Sequence, residues 1–169
     1  KEFNNILYIG NIGEAQNLHN FLPIFSTFLK KDNNIKVVGS GGGKKFLLNN
    51  LNSLKIKNIK VFDPIPKIEL LNLYKNADIL LLNLADKEVF KSVIPSKIYE
   101  YIITNKPIMI GCKGEIEKFR KYSNNLYFFN PSDPKSASEA LEQIIRNKKK
   151  ILQMMFLKKG SLEKIYQRK

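Results

Sequence analysis

Short apolar runs recur along the chain at intervals too long for hairpins, and between them apolar residues fall three and four apart. The runs predict strands at ILYI (6–9), IKVV (35–38), IKVF (59–62), ILLLNL (79–84), IMIG (108–111) and LYFF (126–129). The wider spacing predicts helices over 17–31, 44–54, 67–75, 96–104, 115–122 and 135–148, with one or two more in the tail. Most of the strands are apolar on both faces, which a parallel sheet between two helical layers requires. The expected fold is therefore α/β, a Rossmann-like, doubly wound parallel six-stranded sheet with helices on both faces.

Local signals sharpen some boundaries. Asp133 is placed as an N-cap with Pro134 in the first helical position. Asn105 suits the left-handed residue after a helix, and Pro107 prevents continuation. The first helix carries Leu18, Phe21, Leu22, Phe25, Phe28 and Leu29 on one stripe, and Pro23 within it either kinks the helix or marks its first turn.

Composition narrows the class. A chain of 169 residues fits one domain, and no apolar stretch approaches the roughly 18 residues of a membrane span. The sequence starts at Lys1 and reaches a strand almost at once, as a piece of a longer protein would. The single cysteine, Cys112, lies in an apolar run and is expected to be a buried, inert thiol in a reducing compartment. The net charge of +14 invites a polyanion, yet only three of the cations are arginines and the lysines are scattered over every predicted helix. A solvated surface explains most of that charge, and no nucleic-acid partner is expected. The exception is RNKKKILQMMFLKKG (146–160), where cations flank an apolar core; it reads as peripheral contact with an anionic membrane or as an amphipathic helix packing on the domain.

Ligands of doubly wound sheets bind beyond the carboxyl ends of the strands, so chemistry is sought in GNIGEAQ, GSGGGKK, DPIPK, ADKEVFKSVIPSK and CKGE. GSGGGKK is neither a Walker loop, since Val38 stands where the first glycine belongs, nor a dinucleotide fingerprint, which needs a glycine at Lys44. It is left as a turn whose bare backbone either approaches a ligand or is merely flexible. One histidine, His19, and one cysteine cannot assemble a zinc site or a hydrolytic triad; no metal ligands are assigned.

The stretch VIPSKIYEYIITNKPIMIG (93–111) carries more. On a helix opening near Pro95, residues Ile98, Tyr99, Tyr101, Ile102 and Ile103 cover one broad side, and Ser96, Lys97, Glu100 and Thr104 share the remaining strip. A helix start with a hydroxyl and an ammonium beside it suits a diphosphate, and a carboxylate one turn deeper suits two vicinal sugar hydroxyls. That is the order of groups in a nucleotide sugar. Taken alone, the strip reads equally as a solvated face with a Lys97–Glu100 surface pair.

PSKIYEYIITNKPI, with YIGNIGEAQNL, VVGSGGG and VFDPIPKIELLNLYKNADILLLNL in order over residues 6–150, resembles the C-terminal domain of GT-B fold glycosyltransferases of the group 1 type. The similar branch is that of bacterial polysaccharide and O-antigen enzymes, including N-acetylfucosamine transferases. The resemblance implies that residues 1–169 form one nucleotide-sugar-binding domain, the C-terminal half of a two-domain enzyme whose N-terminal acceptor domain is absent here. It implies ribose binding by Glu100, and diphosphate contacts from Ile94, Pro95, Ser96 and Lys97 and from Gly10, Asn11, Gly13 and Gln16. Base recognition would come from backbone near Gly39, Ser40, Pro64, Ile65 and Pro66. Many members carry a second glutamate eight positions before the ribose one; Ser92 stands there, with Glu88 four residues earlier. Many also carry Arg and Lys in the first loop, which GNIGEAQN lacks, so Lys97 is assigned the diphosphate charge and a catalytic role beside Ser92. The implied activity is retaining transfer of an N-acetylated hexose from a UDP-sugar to a lipid-linked or saccharide acceptor, without metal or other cofactor. The implied location is cytoplasmic, at the inner face of the membrane or free of it, and 1–169 alone should be inactive. A non-catalytic sugar-nucleotide scaffold and a UDP-N-acetylglucosamine 2-epimerase-like enzyme are the alternatives.

Overall fold

The computed structural model of the protein describes residues 2–155. Six strands, β1 (Asn5–Ile9), β2 (Asn34–Val38), β3 (Ile59–Phe62), β4 (Ile79–Asn83), β5 (Ile108–Gly111) and β6 (Leu126–Phe128), form one all-parallel sheet in the order β3-β2-β1-β4-β5-β6. The order reverses between β1 and β4. Parallel crossovers are right-handed, so connections running opposite ways from that point wind onto opposite faces.

Helices α1 (Leu18–Ser26), α2 (Lys44–Ser53) and α5 (Pro134–Arg146) accordingly cover one face, burying Ile6, Tyr8, Val37, Leu81 and Met109 with Leu22, Leu47 and Ile144. Helices α3 (Lys67–Asn76) and α4 (Lys97–Ile103) cover the other, over Leu7, Ile9, Leu80, Leu82 and Ile110. The five-residue β4 is buried throughout, as a central strand between helical layers must be. Helical residues continue over 148–155, and the rest of the basic C-terminal stretch lies outside the described residues. Among the described residues no helix is long and apolar enough to cross a membrane.

Two predicted helices differ from what forms. Residues 115–121 wind as a 3-10 helix, because only Ile116 and Phe119, three apart, have a core to face. The first helix ends at Ser26 rather than 31, although its apolar stripe runs on. The hydroxyls of Ser26 and Thr27 donate to the carbonyls of Pro23 and Ile24 at 2.6 and 2.8 Å, and Thr27, Phe28 and Leu29 leave through tighter turns.

Pro23 lies inside α1 and is buried, so it does not mark the first turn. Lacking an N–H, it leaves the carbonyl of His19 without its helical donor. Asn50 on α2 supplies one: its Nδ2 donates to that oxygen at 2.8 Å. Asn50→Ala is expected to lower stability by about 1 kcal/mol in urea unfolding. In a Pro23→Ala background, where the backbone donor returns, the same change should cost much less.

A cavity of about 280 Å³ opens where α3 fails to reach β2 and β3, among Leu7, Lys36, Lys60 and Leu73. It sits on the sheet face, away from the carboxyl strand ends. The loops that carry polar chemistry converge elsewhere.

Candidate functional site

At the carboxyl edge the loop after β1 lies on the loop after β2. Gly10 N–H donates to the Val38 carbonyl (3.0 Å), Ile12 N–H to Ser40 (2.7 Å) and Gly43 N–H to Ile12 (2.7 Å). Tyr8 supports the first loop from below, its hydroxyl donating to the Asn11 carbonyl at 2.6 Å. Gln16 Oε1 accepts from Gly13 N–H at 3.0 Å and from Asn11 Nδ2 at 3.2 Å. Asn11 and Ser40 are exposed and Gly10, Gly13 and Gln16 half-buried, whereas Gly39 is buried. A Cβ on Gly39 would stand 1.8 Å from the Gly10 carbonyl oxygen. The glycine-rich turn is thus drawn tight against the neighbouring loop at Gly39, and Ser40, Gly41 and Gly42 face outward, Ser40 with the one side chain among them. Lys44 Nζ donates to the Gly39 carbonyl (3.2 Å) and to Asp63 Oδ1 (2.7 Å), tying this loop to the turn of Pro64, Ile65 and Pro66.

Helix α4 joins that cluster from the other side of the switch point. The β1–β4 ladder pairs Ile6 with Ile79 and Leu7 with Leu80 only. Beyond it, Ile9 N–H donates to the hydroxyl of Tyr101 at 3.1 Å, and that side chain is wholly buried. Tyr101 therefore wedges the strand ends apart and locks α4 to the root of the first loop.

One turn along α4, Glu100 is half-exposed and turned toward α3, where its Oε2 accepts from Tyr74 Oη (2.9 Å) and Lys97 Nζ (2.7 Å). Burial pushes the carboxyl up, but the Lys97 and Tyr74 hydrogen bonds and the charges of Lys97 and Lys67 outweigh it and hold the group below its ordinary value. Lys67 opens α3 directly after Pro66, so Glu100 lies within electrostatic reach of the β3–α3 turn. The start of α4 differs from expectation: Ile98 and Tyr99 N–H already donate to the Pro95 and Ser96 carbonyls, and Lys97 is paired with Glu100. Tyr99 and Ile103 are also exposed rather than covering a buried side.

The loop between β4 and α4 is held from beneath. Asp86 accepts from Lys113 after β5 and from Ser132 after β6, and the Lys113 hydrogen bond above all holds its carboxyl low. Glu115 N–H donates to the Lys91 carbonyl at 2.8 Å, and Gly114, at φ 90°, passes so close that a Cβ would meet that same oxygen at 2.1 Å. Ser92 Oγ donates to the Val89 carbonyl at 3.3 Å, and Glu88 is paired with Lys91 at 2.6 Å. Ser92 and Ile94 are exposed and Pro95 is half-buried at this rim.

Residues 1–160 match the family model described as glycosyl transferases group 1. The chain belongs to the group 1 glycosyltransferases. No curated protein matches it. Among solved structures, this glycosyltransferase chain is similar to the catalytic domain of cholesterol-alpha-glucosyltransferase from Helicobacter pylori, with a TM-score of 0.69 and 18% identity over 94% of this chain and 96% of that one. It is also similar to Anabaena Alr3699/HepE in complex with UDP (TM-score 0.70, 12% identity, 96% of this chain, 49% of that one). The lipopolysaccharide outer core galactosyltransferase WaaB shares the fold at TM-score 0.65 and 15% identity, over 88% of this chain and 42% of that one. The chain thus spans nearly all of the first neighbour and less than half of the other two.

Sequence reading passed over Tyr74, Asn83, Asp86, Lys113 and Ser132. Asn83 could have been found as the lone polar residue ending an apolar strand; it is buried, and its Nδ2 donates to the Gln16 carbonyl at 2.9 Å, fastening β4 to the first loop. Cys112 is buried as expected, and burial pushes its thiol up to about 12.

Proposed function

We propose that this domain binds the donor of a retaining group 1 glycosyltransferase, with a UDP-sugar lying across the switch point. The observation that carries the reading is the Glu100 carboxylate: ionised, half-exposed, and fixed between Lys97 at the start of α4 and Tyr74 of α3. In this pose the base meets Ser40 and the proline turn, the ribose hydroxyls donate to Glu100, and the diphosphate lies between the first loop and the start of α4. The neighbour crystallised with UDP supports a uridine nucleotide. Retention, independence from metal and other cofactors, and an N-acetylated hexose follow the resemblance to bacterial polysaccharide transferases, the N-acetylfucosamine transferases among them. The setting is O-antigen or capsule assembly on a lipid-linked or saccharide acceptor at the cytoplasmic face of the membrane. The acceptor would be held by a preceding domain, so residues 1–169 are expected to bind donor without transferring sugar.

Catalysis in this reading is electrostatic. Charge accumulates on the departing diphosphate, and a positioned cation stabilises it more in the transition state than in the ground state. Lys97 fills that role by turning from Glu100 to the phosphates. Its surface ion pair, worth about 0–1 kcal/mol, is cheap to exchange. Ser92, in place of the family's usual acid, offers the sugar a hydroxyl instead of a charge. Calorimetric titration tests the assignment: Lys97→Ala is expected to weaken UDP roughly tenfold and to leave uridine nearly unchanged. Equal losses for both ligands would remove Lys97 from the diphosphate site.

A further inference from the structure

Glu100 has two partners of different character, and both end on Oε2. Lys97 is three residues away on the same helix, a flexible ammonium held by charge. Tyr74 comes from α3, twenty-six residues earlier, and is stiff. Its ring packs edge-on against Tyr101 with centroids 5.9 Å apart, and Tyr101 is itself anchored to the Ile9 amide. A rigid path thus runs from the end of β1 through two aromatic rings to one oxygen of the carboxylate. Burial and the neighbouring Glu100 push the Tyr74 hydroxyl up, so at neutral pH it keeps its proton and donates.

We infer that Tyr74 is a positioning residue of the donor site: it holds Oε2 of Glu100, leaves Oε1 as the acceptor for the ribose diol, and frees Lys97 for the diphosphate. The inference rests on the donor-site reading above. Oε1 has no hydrogen-bond partner among the described residues, while Oε2 has two. If Lys97 alone oriented Glu100, turning it toward phosphate would release the carboxylate as the ribose needs it. With Tyr74 in place the two demands do not compete. The ring spends only two torsions on this task, so little rotamer entropy is lost when the nucleotide binds.

The test is a cycle on the full 169-residue chain, titrating UDP and 2′,3′-dideoxy-UDP into the native protein, Tyr74→Phe, Glu100→Gln and the double variant. Phenylalanine keeps the ring packed on Tyr101, so the fold is preserved and only the hydroxyl is lost. Tyr74→Phe should weaken UDP roughly tenfold, leave the dideoxy ligand unchanged, and add nothing in the Glu100→Gln background. A merely structural tyrosine would weaken both ligands equally, or weaken UDP as much with Glu100 already changed; either result overturns the inference while leaving the donor site standing. Should the native chain bind UDP no tighter than its dideoxy analogue, the ribose contact itself is wrong and the inference falls with it.

Discussion

Replacing Glu100 with alanine is expected to weaken UDP binding by roughly 10- to 100-fold, the scale of one or two hydrogen bonds to a charged group. The domain should remain as stable as before. Glu100 is half-exposed and its Lys97 pair lies at the surface, so folding loses little when the carboxylate goes. Binding loses more, because the ribose hydroxyls would be desolvated against a site without an acceptor. The same variant frees Lys97, so inorganic pyrophosphate should bind as tightly as before or more so. Calorimetry with UDP and pyrophosphate separates the two effects. Undiminished UDP affinity would remove the ribose contact from the pose.

The pH dependence carries a definite sign. The folded-state carboxyl of Glu100 lies below its ordinary value, so the group is ionised through the neutral range. Its contribution to UDP binding requires the carboxylate, so it is present at pH values above the folded-state value and is lost as pH falls through it. The native advantage over Glu100→Ala should therefore be flat near neutrality and shrink in acid. Taking the difference between the two proteins cancels the titration of the diphosphate itself.

Strands were legible because short apolar runs mark them, central or edge: β3 and β5 fall where IKVF and IMIG place them, and the other four differ by one residue at an end. Helix termini were less legible. The apolar stripe through Phe28 and Leu29 continues past Ser26, but hydrogen bonds from Ser26 and Thr27 close the helix first, and a periodicity does not register that competition. Glu100 and Lys97 were readable as neighbours because three residues on a helix fix their spacing. Tyr74 was not, since its partner is set by the packing of α3 beside α4 and not by any local pattern. The clasp of Asp86, Lys113 and Ser132 joins loops after three different strands, which only the order of the sheet brings together. The glycine-rich turn shows a further limit: composition announces close backbone approach without saying what approaches.

Gly39→Ala decides that last point and should be strongly destabilising. The added Cβ would lie 1.8 Å from the Gly10 carbonyl oxygen and 3.0 Å from its carbon, backbone atoms that cannot rotate away. Gly10 is itself fixed, its N–H donating to Val38, and Gly39 N–H donates to Phe62 at 3.1 Å, so relief on either side breaks sheet hydrogen bonds. Overpacking against backbone with lost hydrogen bonds belongs to the severe class of substitutions, at about 3 kcal/mol or more. For a chain of this size the melting temperature should fall by on the order of 10 °C. Displacing Gly10 also moves Asn11 and Gly13, so UDP binding should weaken together with stability. Gly42 is the control within the same turn: nothing lies within 4 Å of its Cβ position. Gly42→Ala should therefore leave the melting temperature unchanged or raise it slightly, through the reduced freedom of the unfolded chain. If the turn were bare in order to admit a ligand rather than a neighbouring loop, the ranking would invert: Gly39→Ala would melt with the native protein and lose only its nucleotide.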